Sequence, residues 1–137
     1  MAEGDRSLQD SELAKGVYPF IILSVCLSAF AQIFLKSGMS SPAIQKSIDS
    51  GRSVSMALET ISNPSVLIGL FLYFGSAAIW LVVLSRVQVS FAYPFVAGGF
   101  VLTALLGHLI FNDTFSIGKI IGTLLIVCGV ITMARSA

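Results

Sequence analysis

The stretch VLIGLFLYFGSAAIWLVVL-SRVQ-VSFAYPFVAGGFVLTALLGHLIF, residues 66–111, decides the fold. It holds two long apolar runs, Val66–Leu84 and Val89–Phe111, joined by the short polar link Ser85–Gln88. Arg86 and His108 are its only side chains able to carry a positive charge, and it has no carboxylate. A helix needs about 20 mostly apolar residues to cross the hydrocarbon core of a bilayer. Lipid offers the backbone no hydrogen-bond partner, so each run is expected to be a helix. A membrane β-barrel would alternate polar and apolar residues, and these runs do not. The short link forces the two helices to run antiparallel.

The same pattern recurs on either side. Val17–Leu35 precedes it, and Ile117–Ala134 follows after a second tight turn, Asn112–Ser116. The expected fold is an all-α membrane protein with four transmembrane helices. A polar N-terminal tail, residues 1–16, would lead into a transmembrane domain, residues 17–137. Ala29-Phe30-Ala31 has the form of a leader cleavage site. However, Glu3, Asp5, Asp10 and Glu12 make a poor leader start and the apolar run continues past the site, so the first run is expected to remain as a span.

Composition agrees. The chain has 137 residues, 55% apolar and 11% charged, with a mean hydropathy of +0.92. A soluble domain of this size buries too small a share of its chain to hide that much apolar surface. The net charge of +1 leaves no basic patch for nucleic acid. Cys26 and Cys128 lie inside apolar runs, so neither a disulfide framework nor a zinc site is expected. No catalytic constellation, metal site or phosphate-cradling glycine loop is present in the sequence, so neither an enzyme nor a cofactor is expected.

Only the connection from Gly38 to Pro64 is long. Ala43, Ile44, Ile48, Val54, Met56 and Leu58 punctuate it as apolar positions. That pattern fits an interfacial helix lying on the membrane, or an ordinary solvated loop. Lys and Arg do not orient the chain. Arg6, Lys15, Arg86 and Arg135 fall on the terminal side, and Lys36, Lys46, Arg52 and Lys119 on the other, an even split of the eight. That balance fits a protein that inserts both ways or pairs antiparallel with a partner.

Polar groups inside a span are costly and are therefore functional candidates. Ser24, Ser28, Gln32 and Lys36 recur every four residues and line one slowly drifting face of the first helix. As a binding wall, they would hold a polar head, with Lys36 meeting an anion such as phosphate. As packing residues, the serines would admit a close neighbour, Gln32 would bond across helices, and Lys36 would snorkel to the interface. Tyr73 and Trp80 could stack on a ligand or face lipid. In the third run Pro94 and the Gly98-Gly99 pair mark a hinge or a close approach. His108 reads more readily as an interfacial hydrogen-bonder than as a proton carrier. Asp113 is expected to cap the fourth helix. Gly118, Gly122 and Gly129 would let that helix pack closely.

Three of these segments together resemble the small four-helix members of the drug/metabolite transporter superfamily, whose best-known branch is the small multidrug resistance family. Ala31-Gln32-Ile33-Phe34-Leu35-Lys36 looks like that family's first helix end. Ala92-Tyr93 followed by Gly98-Gly99 looks like its substrate-side tyrosine and kink, and Gly122 to Val130 like its dimerisation helix. The resemblance implies a small dimeric bundle in which Gly122, Leu125, Ile126, Gly129 and Val130 form the dimer interface. The drug and guanidinium exporters of the family use a membrane glutamate in the first span. Aligned on Lys36, that position is Ser28, and none of the four runs holds an acidic residue. A buried carboxylate is the physical basis of proton-coupled antiport, so a drug exporter is disfavoured.

The branch that flips undecaprenyl-phosphate-linked aminoarabinose is similar in Gln32 and Lys36, in Trp80-Leu81-Val82-Val83-Leu84 and in Ala92-Tyr93-Pro94, and it also lacks the glutamate. The long loop departs from that branch. The resemblance implies a flippase, or one subunit of it, moving a polyprenyl-phosphate-linked sugar or related lipid across a bacterial inner membrane. Its site would comprise Ser28, Gln32, Lys36, Tyr73, Trp80, Arg86 and Tyr93. A homodimer in an antiparallel arrangement, or a heterodimer with a similar small subunit, would complete the pathway. A non-transporting partner of a glycosyltransferase and a small cation exporter stand as alternatives.

Overall fold

The computed structural model describes the backbone of residues 2–136 and the side chains of residues 16–132. Its elements are six helices: α1 (Ala2–Met39), α2 (Pro42–Asp49), α3 (Ser53–Ser62), α4 (Pro64–Leu84), α5 (Val89–Phe111) and α6 (Ile117–Ser136). Among the described residues, three stretches are long and apolar enough to cross a membrane: Gly16–Met39 of α1, α4 and α5. The apolar part of α6, Ile117–Thr132, is shorter among the described residues.

Local chemistry sets the ends. Asn63 caps α4, its side-chain oxygen accepting from the N–H of Ser65 at 3.0 Å and of Val66 at 3.3 Å. Pro64 follows as the first helical residue, where its missing N–H costs nothing. α5 ends on Asn112, which takes the left-handed conformation at φ 53°. Asn tolerates that region better than most residues, and the turn it makes reverses the chain into α6.

The long connection is neither one helix nor an irregular loop. It folds as the helical pair α2 and α3, broken at Gly51, whose φ of +66° suits a residue without a Cβ. Ser47 donates to the Glu59 carboxylate at 2.8 Å and so ties the pair together. Gln45 donates to the Met39 carbonyl at 2.8 Å and fastens α2 to the end of α1.

α1 is the hub of the bundle, packing against both α4 and α5, while α6 packs against α5. Small residues set the close approaches. A Cβ at Gly69 would stand 2.8 Å from Leu35 Cγ and 3.0 Å from the Ala31 carbonyl, so only glycine lets α4 lie this near α1. Ile21, Ala29 and Ala31 are buried on α1, as are Val83 on α4 and Ala92 on α5. Tyr18, Phe91 and Phe95 stack edge-on or tilted beside Val17 and Ile21, closing the terminal end. The large side chains point outward instead: Phe71 is 80% exposed and Phe74 70%. A surface of that kind is at home in lipid, where helix association rests on close packing of small residues.

Candidate functional site

α1, α4 and α5 line an open-sided cavity of about 230 Å³. Ser28 lies near the middle of the apolar part of α1, Ser76 near the middle of α4, and Gly99 near the middle of α5, so the cavity sits midway along the three helices. Ser24, Ser28 and Gln32 form its α1 wall, Tyr73, Ser76 and Trp80 its α4 wall, and Gly99, Phe100 and Thr103 its α5 wall. The four-residue spacing on α1 therefore faces the cavity as a stripe, as helical geometry requires.

The polar groups divide into two kinds. Ser24 donates to the Ile21 carbonyl at 2.9 Å, and Ser76 donates to the Ser24 carbonyl at 2.8 Å. Thr103 donates to the Gly99 carbonyl at 2.9 Å. These hydroxyls are satisfied by backbone and serve packing, and Ser24 and Ser76 are buried. Ser28 and Gln32 differ. Both are half-buried and line the cavity, and neither side chain hydrogen-bonds another described residue. An amide without a partner in a membrane interior is costly unless water or a ligand reaches it.

Trp80 meets the Tyr93 ring edge-on at 6.4 Å, which brings Tyr93 to the rim of the cavity. Gly99 is a close-approach point, since a Cβ there would lie 3.0 Å from Val25 Cγ1 on α1. Gly98 faces open space, and Pro94 is buried within a continuous α5.

Lys36 lies one turn beyond Gln32, a rise of about 6 Å. Its ammonium makes an ion pair with Asp113 at 2.5 Å and sits 4.4 Å from the centre of the Phe111 ring. Asp113 is therefore not the cap of α6. It lies too far ahead of Ile117, and Ser116 takes that place, its hydroxyl accepting from the Lys119 N–H at 3.4 Å. His108 bonds through Nδ1 to the Asp113 carbonyl at 2.7 Å, so it acts as a hydrogen-bonder at the helix end. Arg86 follows α4, near the buried cluster of Val17 and Val83, at the end of the bundle opposite Lys36. Of the expected site, the structure brings Ser28, Gln32, Tyr73 and Trp80 together, with Tyr93 at the rim. It holds Lys36 just outside and Arg86 at the far end. Ser76 and Thr103 escaped the sequence reading. The same rule of a hydroxyl inside an apolar run would have found both.

These features define a multi-pass helical membrane protein with a partly polar cavity between its helices. The chain is 32% identical over 116 residues to a probable 4-amino-4-deoxy-L-arabinose-phosphoundecaprenol flippase subunit ArnF of Enterobacter sp. (strain 638), covering 83% of this chain and 91% of that relative. It belongs to the family of these flippase subunits. Probable ArnE subunits of the same flippase are also similar. That of Pseudomonas aeruginosa (strain UCBPP-PA14) is 43% identical over 58 residues, covering 42% of this chain and 50% of the relative. That of Pseudomonas syringae pv. syringae (strain B728a) is 41% identical over 59 residues, covering 43% and 55%. The match spans about half the length of these ArnE relatives. No family model matches the chain, and no solved structure does.

Proposed function

We propose that this chain is a subunit of a flippase that moves a polyprenyl-phosphate-linked sugar across a bacterial inner membrane. The observation that carries this reading is the pair Ser28 and Gln32, without a partner among the described residues, on the wall of a cavity midway along the helices. A sugar hydroxyl or amine could satisfy both groups while the polyprenyl tail stays in lipid. Lys36, one turn outward, would meet the phosphate as it enters or leaves. Tyr73, Trp80 and Tyr93 offer aromatic faces to the sugar ring. None of the membrane runs carries a carboxylate, so the chain has no seat for proton-coupled cation export. The relatives bear the names of flippase subunits, which favours the same reading.

The reading includes α6 as a fourth span. Its 20 residues give a length of about 30 Å, enough for the hydrocarbon core. It also includes a second subunit, either another copy or a similar small chain. Three helices enclose little of a pathway, and α6 leaves Leu124 and Leu125 more than half exposed. A Cβ at Gly122 or Gly129 would meet nothing within 4 Å, so Gly122, Leu125, Ile126, Gly129 and Val130 are free to receive a neighbouring helix. Pro94 and the glycine pair would supply the bend as the cavity opens to each side.

The test is reconstitution into liposomes, alone and with an ArnE-type or ArnF-type subunit. Translocation of labelled undecaprenyl-phosphate-linked aminosugar above the protein-free rate is expected in at least one arrangement. A purified, folded chain that moves no such lipid in either arrangement would exclude the carrier and leave a membrane partner of a glycosyltransferase.

A further inference from the structure

The turn that follows α5 presents a carboxylate to the cation at the cavity mouth. The Asp113 N–H donates to the Gly107 carbonyl at 3.4 Å, and the Asp113 carbonyl accepts from His108 Nδ1 at 2.7 Å. A carbonyl can only accept, so that histidine nitrogen carries the proton. Asn112, in its left-handed conformation, makes the reversal that allows both contacts. Gly107 leaves room for the side chain: a Cβ there would stand 3.0 Å from Asp113 Oδ2, the oxygen that binds Lys36. Backbone and neighbours thus fix Asp113 while its carboxylate reaches Lys36 on another helix. The pair itself is about half exposed, at 44% for Lys36 and 46% for Asp113, so water and salt weaken it.

We propose that Asp113 competes with the anionic head of the lipid for Lys36, holding the ammonium while the cavity is empty and releasing it to the phosphate. The inference rests on the lipid-phosphate reading of Lys36. A carboxylate and a phosphodiester offer the same chemistry to an ammonium, an oxygen anion at hydrogen-bond distance. They cannot both have its full charge, so the carboxylate lowers the affinity of the phosphate. An exposed pair is weak enough to be displaced, and the competition keeps binding loose enough for the lipid to leave on the far side. Asp113 would therefore set affinity without touching the substrate.

Trp80, the only tryptophan, lines the cavity and reports binding in the full chain. Its fluorescence would be followed in lipid nanodiscs titrated with undecaprenyl phosphate, with undecaprenol and inorganic phosphate as parallel probes. Asp113→Asn should bind undecaprenyl phosphate about threefold to fivefold more tightly than the parent, the scale of one exposed ion pair. Undecaprenol affinity should not change. Gly107→Ala, which crowds the carboxylate without altering charge, should shift affinity the same way by less. Lys36→Ala should bind more weakly, and Lys36→Ala with Asp113→Asn should match Lys36→Ala alone. An Asp113→Asn chain that binds no better, or a gain that survives in the double variant, overturns the competitor role. Unchanged affinity in Lys36→Ala, or equal affinity for inorganic phosphate, would instead bring down the lipid-phosphate reading on which the inference stands.

Discussion

α1 and α6 are both apolar helices long enough to be drawn as spans from their sequences, yet they are packed in opposite ways. The middle of α1 buries Ile21, Ser24, Ala29 and Ala31 against α4 and α5. α6 touches α5 and leaves Ile121, Leu124 and Leu125 more than half exposed. The polar groups differ as well. α1 turns Ser28 and Gln32 into a cavity, whereas Thr132 of α6 donates back to the Cys128 carbonyl of its own helix at 2.8 Å. Hydrophobicity alone does not tell the two apart. Small residues, and polar groups without a partner among the described residues, separate α1, which lines the cavity, from α6, which leaves an apolar face open.

The largest effect should come from breaking the contact that makes α1 the hub. Gly69→Leu would drive side-chain atoms into Leu35 and the Ala31 carbonyl, and overpacking of this kind costs about 1–3 kcal/mol or more. Gly122→Leu on α6 should stay within about 0.5 kcal/mol in the single chain, because nothing lies near it. Unfolding in mixed micelles would compare them, and equal losses would erase the contrast.

Lys36→Ala comes next. Loss of one charge-assisted hydrogen bond to phosphate should slow lipid translocation about tenfold or more at subsaturating substrate. The folded chain should remain intact, since the ion pair it removes is exposed. Transport at the parental rate would remove Lys36 from the path.

Gln32→Leu gives the sharpest sign. The amide has no partner among the described residues, so replacing it with an apolar group should leave stability unchanged or raise it by up to about 1 kcal/mol. Translocation should nevertheless fall severalfold. A destabilised variant would mean that Gln32 bonds a neighbouring helix and belongs to packing.

The smallest effect is expected on α6. Leu125→Ala should barely alter the stability of the isolated chain, with the side chain 68% exposed, but should weaken pairing with a second subunit a few fold. Cys128 is exposed on the same helix and provides a native cross-linking reporter of that pairing. Cross-linking that Leu125→Ala leaves untouched would point the partner to another surface.

The fold was largely legible because the lipid environment leaves few choices. Apolar runs of span length must be helices, and tight turns such as Ser85–Gln88 must make them antiparallel. The α1 face was legible too, since the spacing of Ser24, Ser28 and Gln32 follows from helical geometry alone. What sequence could not give was partnership. Ser24 and Ser28 look alike in the chain and both line the cavity, but Ser24 is satisfied by the Ile21 carbonyl whereas Ser28 has no partner among the described residues. Asp113 reads as a cap by position, and only the fold shows that it lies against Lys36, far away in the chain. The α2–α3 pair was hidden because its apolar positions are too sparse to distinguish a helix from a loop.

The central claim is that the polar stripe of α1 is the surface that meets the head of a lipid-linked sugar. Photo-cross-linking tests it directly, with a photoreactive group on the sugar of an undecaprenyl-phosphate-linked probe and reconstituted full-length chain. Adducts are expected on the cavity wall, at Ser28 and Gln32 with Tyr73 and Trp80 opposite, and should be competed by unlabelled lipid. Adducts confined to the outward faces of α4 and α6, around Phe71 and Leu125, would show that the head passes elsewhere and would contradict the account.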